Sequence, residues 1–137
     1  MTPLIPMTCP CGQRDARQRS LAYAACCGRY LEHFATTLAP DAPSLMRSRY
    51  SAFVLERRDY LLATWHASSR PAALDFEPGV KWLGLELRAH QLDDADHAEV
   101  DFVARQRDAT GRAHRLHERS RFVREQGRWF YIDGDVA

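Results

Sequence analysis

Lysine is nearly missing from this chain: Lys81 stands alone among 19 basic residues, the rest being arginine. Genome composition explains that bias as readily as a need for the bidentate ion pairs that only arginine makes. An excess of charge of either sign is missing too. The 19 basic residues face 18 acidic ones, a formal +1, so no general electrostatic pull draws the chain to nucleic acid or an anionic membrane, and such a role needs a local patch. No apolar run approaches the roughly 20 residues that cross a bilayer. Met1 to Thr8, broken by Pro3 and Pro6, has neither the basic start nor the apolar stretch of a signal peptide. The expectation is a cytoplasmic protein with no membrane partner. Internal repeats, low-complexity tracts and nucleotide-cradling glycine loops are also absent.

What is present fits one modest domain with a small appendage: 137 residues, 45% of them apolar, suffice for a single core. All four cysteines fall in the first 27 residues, as Cys9-Pro10-Cys11-Gly12 and, fourteen residues later, Cys26-Cys27-Gly28. In a reducing compartment such crowding reads as metal ligation rather than disulfides. Two close pairs can clamp one ion from opposite sides, and four thiolates complete a tetrahedral zinc shell with no open position, so the expected role is structural rather than catalytic. Reduced, unligated thiols or a redox pair are the alternatives, although adjacent Cys26 and Cys27 would bond to each other only under strain. Gly12 and Gly28 are expected to let the chain turn tightly and aim N–H groups at sulfur.

This cysteine pattern resembles the SEC-C motif, the zinc knuckle that ends the preprotein translocase ATPase. The continuation is similar to the bacterial YchJ family, also called UPF0225. The resemblance is carried by Leu45 to Phe53, Asp59-Tyr60-Leu61, Thr64-Trp65-His66, His117 to Phe122 and Gly127 to Tyr131, and runs from Cys9 to about Gly134. It implies an N-terminal zinc knuckle, residues 1–34, followed by an NTF2-like cone, residues 35–137, in which a curved antiparallel sheet wraps helices and leaves a pocket. It implies no particular reaction. Two departures stand out: Gln13-Arg14-Asp15 follows Gly12 where Ser-Gly is usual, and the spacer between cysteine pairs is long, its extra residues within Asp15 to Ser20 expected to loop outward.

The rest of the chain reads as helices and then strands, an α+β pattern with helices on one sheet face. Asp41, followed by Pro43, is placed to cap a helix running to about Arg57 with a stripe of Met46, Tyr50, Phe53 and Val54. Asp59 is expected to cap a short second helix carrying Leu61, Leu62 and Trp65, broken at Ser68 to Pro71. From Lys81 the period becomes two. Leu83, Leu85, Leu87 and Ala89 are expected to alternate against Trp82, Glu86, Arg88 and His90, and Ala98, Val100, Phe102 and Ala104 form the inner face of a second strand. A third strand near His114 to Arg124 and a fourth holding Trp129 to Ile132 complete a meander.

On the third strand, Leu116, Glu118, Ser120 and Phe122 share the inner face, which turns His117, Arg119 and Arg121 outward. A buried Glu118 needs a cation, and Arg49 on the helix, or failing that His66, is the expected partner; breaking such a pair costs roughly 3 to 5 kcal/mol. Arg49, Tyr50, Trp65, His66, Glu118, Ser120 and Trp129 are thus the candidate pocket residues, and no catalytic residue is assigned. The leading expectation is a zinc-binding adaptor or binding module. Its knuckle, through residues such as Arg14 and Arg17, would contact a protein or ribosome-like partner, while the larger unit, with a core of its own, serves as a scaffold or holds a small ligand. An NTF2-like enzyme using Glu118 or His66 for proton transfer is the alternative. Nucleic-acid binding through the arginines of the knuckle and of the third strand, Arg115, Arg119 and Arg121, is a weaker third reading.

Overall fold

The computed structural model describes residues 8–137, so the reading of the first seven residues lies outside it. In order along the chain come a 3-10 turn at Tyr23–Ala25, three helices, α1 (Gly28–Leu31), α2 (Ala42–Val54) and α3 (Arg58–Ala63), and four strands, β1 (Lys81–Asp94), β2 (His97–Arg107), β3 (Ala113–Glu125) and β4 (Arg128–Val136). The strands form one antiparallel sheet in the order β1-β2-β3-β4. This is the α+β meander with helices packed on one face.

Helix α2 begins as read: the Asp41 carboxylate accepts the Ser44 N–H at 2.8 Å and proline occupies the first turn. It ends at Val54, earlier than expected, because Glu56 takes a left-handed conformation (φ 54°) and Arg57 N–H returns to the Ala52 carbonyl. The helix is also more deeply enclosed than one stripe implies. Leu45, Met46, Ser48, Arg49, Tyr50, Ser51 and Ala52 are all buried, while Phe53 and Val54 are only half-buried. Helix α3 has Arg57 at its N-cap position with no side-chain capping bond, Asp59 lies inside its first turn, and Trp65 lies beyond its end in a parallel bridge to Tyr131.

The second strand follows its period, with Ala98, Val100, Phe102 and Ala104 all buried against the helices. The first does not. A bulge between Trp82 and Gly84 turns Trp82 inward onto Tyr50 and leaves Leu83 exposed, and a second irregularity past Leu87 leaves Ala89 exposed as well. The tight turn from β3 to β4 places Gln126 and Gly127 both at positive φ, the backbone of a type I′ hairpin.

The knuckle and the sheet do not have separate cores. The four cysteines, Tyr23, Tyr30 and Leu31 belong to one buried cluster with Leu45, Leu61, Val100, Phe122 and Trp129. Polar and aromatic contacts reinforce this junction: Glu32 accepts from Tyr23 Oη and from Arg57, each at 2.7 Å, and Phe34 meets Tyr60 edge-on beneath the Arg128 guanidinium. An extended appendage could not exclude water from the thiols by itself, so it borrows the domain's core.

Candidate metal centre and pocket

The chain between the cysteine pairs forms a small hairpin. Cys9 N–H donates to the Leu21 carbonyl at 2.9 Å and Leu21 N–H to that of Gln13, which folds the first pair back toward the second. The Asp15 carboxylate ties the tip by accepting the N–H groups of Arg17 and Arg19, and this tip is exposed. Gly12 has φ 77°, as its turn requires. Gly28 serves a different purpose from the one expected. Its backbone is helical, and a Cβ there would lie 2.7 Å from the Tyr23 carbonyl and 2.9 Å from its ring, so glycine allows the close packing of Tyr23 under α1.

The four Sγ atoms of Cys9, Cys11, Cys26 and Cys27 lie within 4.8 Å of one another and all four residues are buried. Cys11 Sγ is 3.6 Å from both Cys9 and Cys26, close to the edge of about 3.8 Å in a tetrahedron with metal–sulfur bonds near 2.3 Å. Such crowding divides the thiols. Hydrogen bonds from its neighbours, Cys11 foremost, pull Cys9 far below its ordinary value, and those from Cys26 and Cys27 bring Cys11 to about 7, while Cys11 in turn pushes Cys26 and Cys27 far up. Four thiolate charges cannot coexist here without a cation. The donor set, its burial and its spacing fit a metal site. Gln13 N–H points at Cys11 Sγ at 3.5 Å, and Ser51 of α2 sits 3.7 Å from Cys9 Sγ, so the domain's long helix also touches the cluster.

The second site is a cavity of about 270 Å³ between α2 and the inner face of the sheet. Its walls are largely aromatic, from Tyr50, Phe53, Trp65, Trp82, Phe102 and Tyr131, and its ionisable residues at neutral pH are Arg49 and Glu118. Ser120, fully buried, donates to Glu118 Oε2 at 3.0 Å. Gly134 on β4 makes room for the same carboxylate, since a Cβ there would stand 2.6 Å from Glu118 Oε1. Glu118 is therefore held in place by its own sheet.

The expected Glu118–Arg49 hydrogen bond is not formed. Arg49 Nη1 donates instead to the Leu61 carbonyl at 2.8 Å and to Thr64 Oγ1 at 2.7 Å, and its guanidinium lies over the rings of Trp65 and Tyr131, 5.1 and 4.7 Å from their centroids. The acceptors sit at the C-terminal end of α3, where unpaired carbonyls and the negative end of the helix dipole favour a cation. Burial lowers the Arg49 pKa to about 10, which leaves it charged at neutral pH. His66 does not reach the cavity: its ring bonds Ser68 through Nδ1 and Glu125 through Nε2 at 2.8 Å. Trp129 is buried in the core beneath Arg124 and does not line the cavity.

Residues 41–134 match the family model described as YchJ, middle NTF2-like domain. A UPF0225 protein of Polaromonas is 68% identical over 128 residues, covering 93% of this chain and 92% of that protein, and one of Methylibium petroleiphilum is 63% identical over 133 residues, covering 96% and 90%. The chain belongs to the UPF0225, or YchJ, family. Two solved structures share its fold. A SEC-C motif containing protein from Rhodopseudomonas palustris superposes with a TM-score of 0.79 at 30% identity, covering 96% of this chain and 99% of that one. Another SEC-C motif containing protein, from Psychrobacter arcticus, gives 0.78 at 30% identity, covering 97% and 84%.

For this UPF0225 chain, the outer sheet face carries the ion pairs of Arg119 with Glu99 and of Arg121 with Asp133 and Asp135, beside a His117–Asp101 hydrogen bond. Arg119 and Arg121, two of the three strand arginines that suggested nucleic acid, are thus paired with neighbouring strands, while Arg115 is exposed. Sequence reasoning missed Ser51, Tyr23, Gly134 and the cavity's Phe102. Only the small residue opposite Ser120 in the register could have signalled Gly134. Without an ion pair to break, Glu118→Ala should lose about 1 kcal/mol, the worth of one hydrogen bond. Denaturant unfolding checks this, and a loss of several kcal/mol would show that Glu118 holds α2 after all.

Proposed function

We propose that this protein binds a small molecule in the cavity above its sheet and uses one zinc ion, held by Cys9, Cys11, Cys26 and Cys27, to lock the knuckle into the shared core. The observation that carries the ligand reading is the pairing of aromatic walls with a single carboxylate placed by Ser120 and Gly134. Pockets that are mostly apolar with a few convergent polar groups are the usual form of ligand sites. Four buried thiols at tetrahedral spacing support zinc, whose closed sulfur shell takes no part in ligand chemistry. The exposed hairpin tip with Arg14 and Arg17 offers a separate surface for a protein partner.

Native mass spectrometry of protein purified from cells tests both halves. The expected mass is the chain, one zinc and a small organic molecule that is released on denaturation. Leu116→Trp, at a partly exposed position of the cavity wall, should abolish the organic adduct and keep the zinc. Zinc well below one equivalent refutes the metal reading, and an adduct that persists in Leu116→Trp places the ligand elsewhere.

A further inference from the structure

We infer that the cavity takes a small, flat, uncharged molecule with a carbonyl-type acceptor at one end and an O–H or N–H donor at the other, the acceptor meeting Arg49 and the donor meeting Glu118. This deepens the small-ligand reading above and rests on it.

Charge decides the first part. Arg49 and Glu118 are the one basic and the one acidic side chain of the wall, and no direct contact joins them. The wall is therefore already neutral. A ligand bringing a net charge would leave that charge uncompensated among aromatic rings, where an unpaired ion is disfavoured. Flatness follows from the walls, since Trp82 stands edge-on to Tyr50 and Trp65 edge-on to Tyr131, leaving ring faces and edges as the contact surface.

Hydrogen-bond accounting decides the polarity. All the hydrogen bonds of Arg49 leave from Nη1, so its remaining donors have no protein acceptor among the described residues. Arg49 lines the cavity, and a buried guanidinium with donors to spare there calls for an acceptor from outside the chain. Glu118 presents the complementary need. Ionised, its carboxylate accepts only, and it receives one hydrogen bond from Ser120. A ligand donor supplies the next one.

A matched set of one-ring probes tests this on the full-length, zinc-loaded protein: para-hydroxyacetophenone, which carries both groups; para-ethylphenol, without the acceptor; para-methylacetophenone, without the donor; and para-hydroxybenzoate and tyramine, which carry a negative and a positive charge. Binding is followed by NMR shifts of backbone amides and of the Trp65 indole N–H. The expected result is that para-hydroxyacetophenone binds about tenfold more tightly than each of the others, the worth of one hydrogen bond to a charged partner, and shifts the signals of Trp65, which lines the cavity. Glu118→Met should remove its advantage over para-methylacetophenone, and Arg49→Lys should reduce its advantage over para-ethylphenol. Tighter binding of the benzoate or of tyramine overturns the inference while leaving a small-ligand pocket in place. If no probe at millimolar concentration shifts any cavity residue, the pocket reading fails with it.

Discussion

Cys27→Ser should unfold the sheet as well as the knuckle. The expectation from sequence alone, two units with separate cores, predicts damage confined to the N-terminal module. The structure joins them: Cys27 is almost fully buried at the start of α1, in one cluster with Leu45, Leu61 and Val100, and Ser51 of α2 lies against Cys9 Sγ. Structural zinc contributes on the order of 10 kcal/mol to the fold that holds it. A domain's entire stability is about 5 to 15 kcal/mol. Because the metal's contribution is shared with the sheet through that core, losing a ligand should exceed what the rest of the molecule can absorb. Chelation of the wild-type protein should do the same. The check is the near-ultraviolet circular dichroism of Trp82 and Trp129, which lie outside the knuckle, followed during chelation and compared with Cys27→Ser. Retention of that signal with an unchanged thermal midpoint would restore the picture of two independent cores.

What the sequence revealed of this fold was whatever depends on side-chain identity at a regular spacing. The Asp41 cap, the inner face of β2 and the outward turn of His117, Arg119 and Arg121 follow from period and propensity, and the ion pairs of Arg119 and Arg121 with Glu99, Asp133 and Asp135 confirm the register of β3. Where backbone geometry interrupts the period, the reading failed. The bulge at Leu83 and Gly84 exchanges the faces of Trp82 and Leu83, and no local signal beyond Gly84 marks it. Glu56 stops α2 in a left-handed conformation that no glycine announced.

The cavity was legible only in part for a related reason. Seeking a charge for a charge pairs Arg49 with Glu118, but the acceptors that Arg49 uses are a main-chain carbonyl and a threonine hydroxyl at the end of α3, and carbonyls have no letter in a sequence. His66 was drawn toward the cavity by its place next to Trp65. The bridge between Trp65 and Tyr131 instead carries the chain along β4, so that consecutive residues diverge, Trp65 to the cavity and His66 to Glu125.

The same contacts make Arg49 the most costly polar side chain to remove. Arg49→Ala would leave the Leu61 carbonyl and Thr64 Oγ1 without a charged donor, each such bond contributing about 1.5 to 3 kcal/mol. It would also withdraw a cation from between the rings of Trp65 and Tyr131, worth about 0.5 to 2 kcal/mol, and open space beneath them. Against these losses stands a gain, since burying the guanidinium is itself unfavourable, as its lowered pKa shows. The net expectation is a loss of about 4 kcal/mol, several times that of Glu118→Ala. Arg49→Lys should recover part of it, because an ammonium can reach one acceptor but lacks the planar group that meets both rings. Denaturant unfolding of the three variants provides the ranking. If Glu118→Ala costs as much as Arg49→Ala, and the double variant no more than either, the two residues act as a pair and the carbonyl of Leu61 is not what holds Arg49 in place.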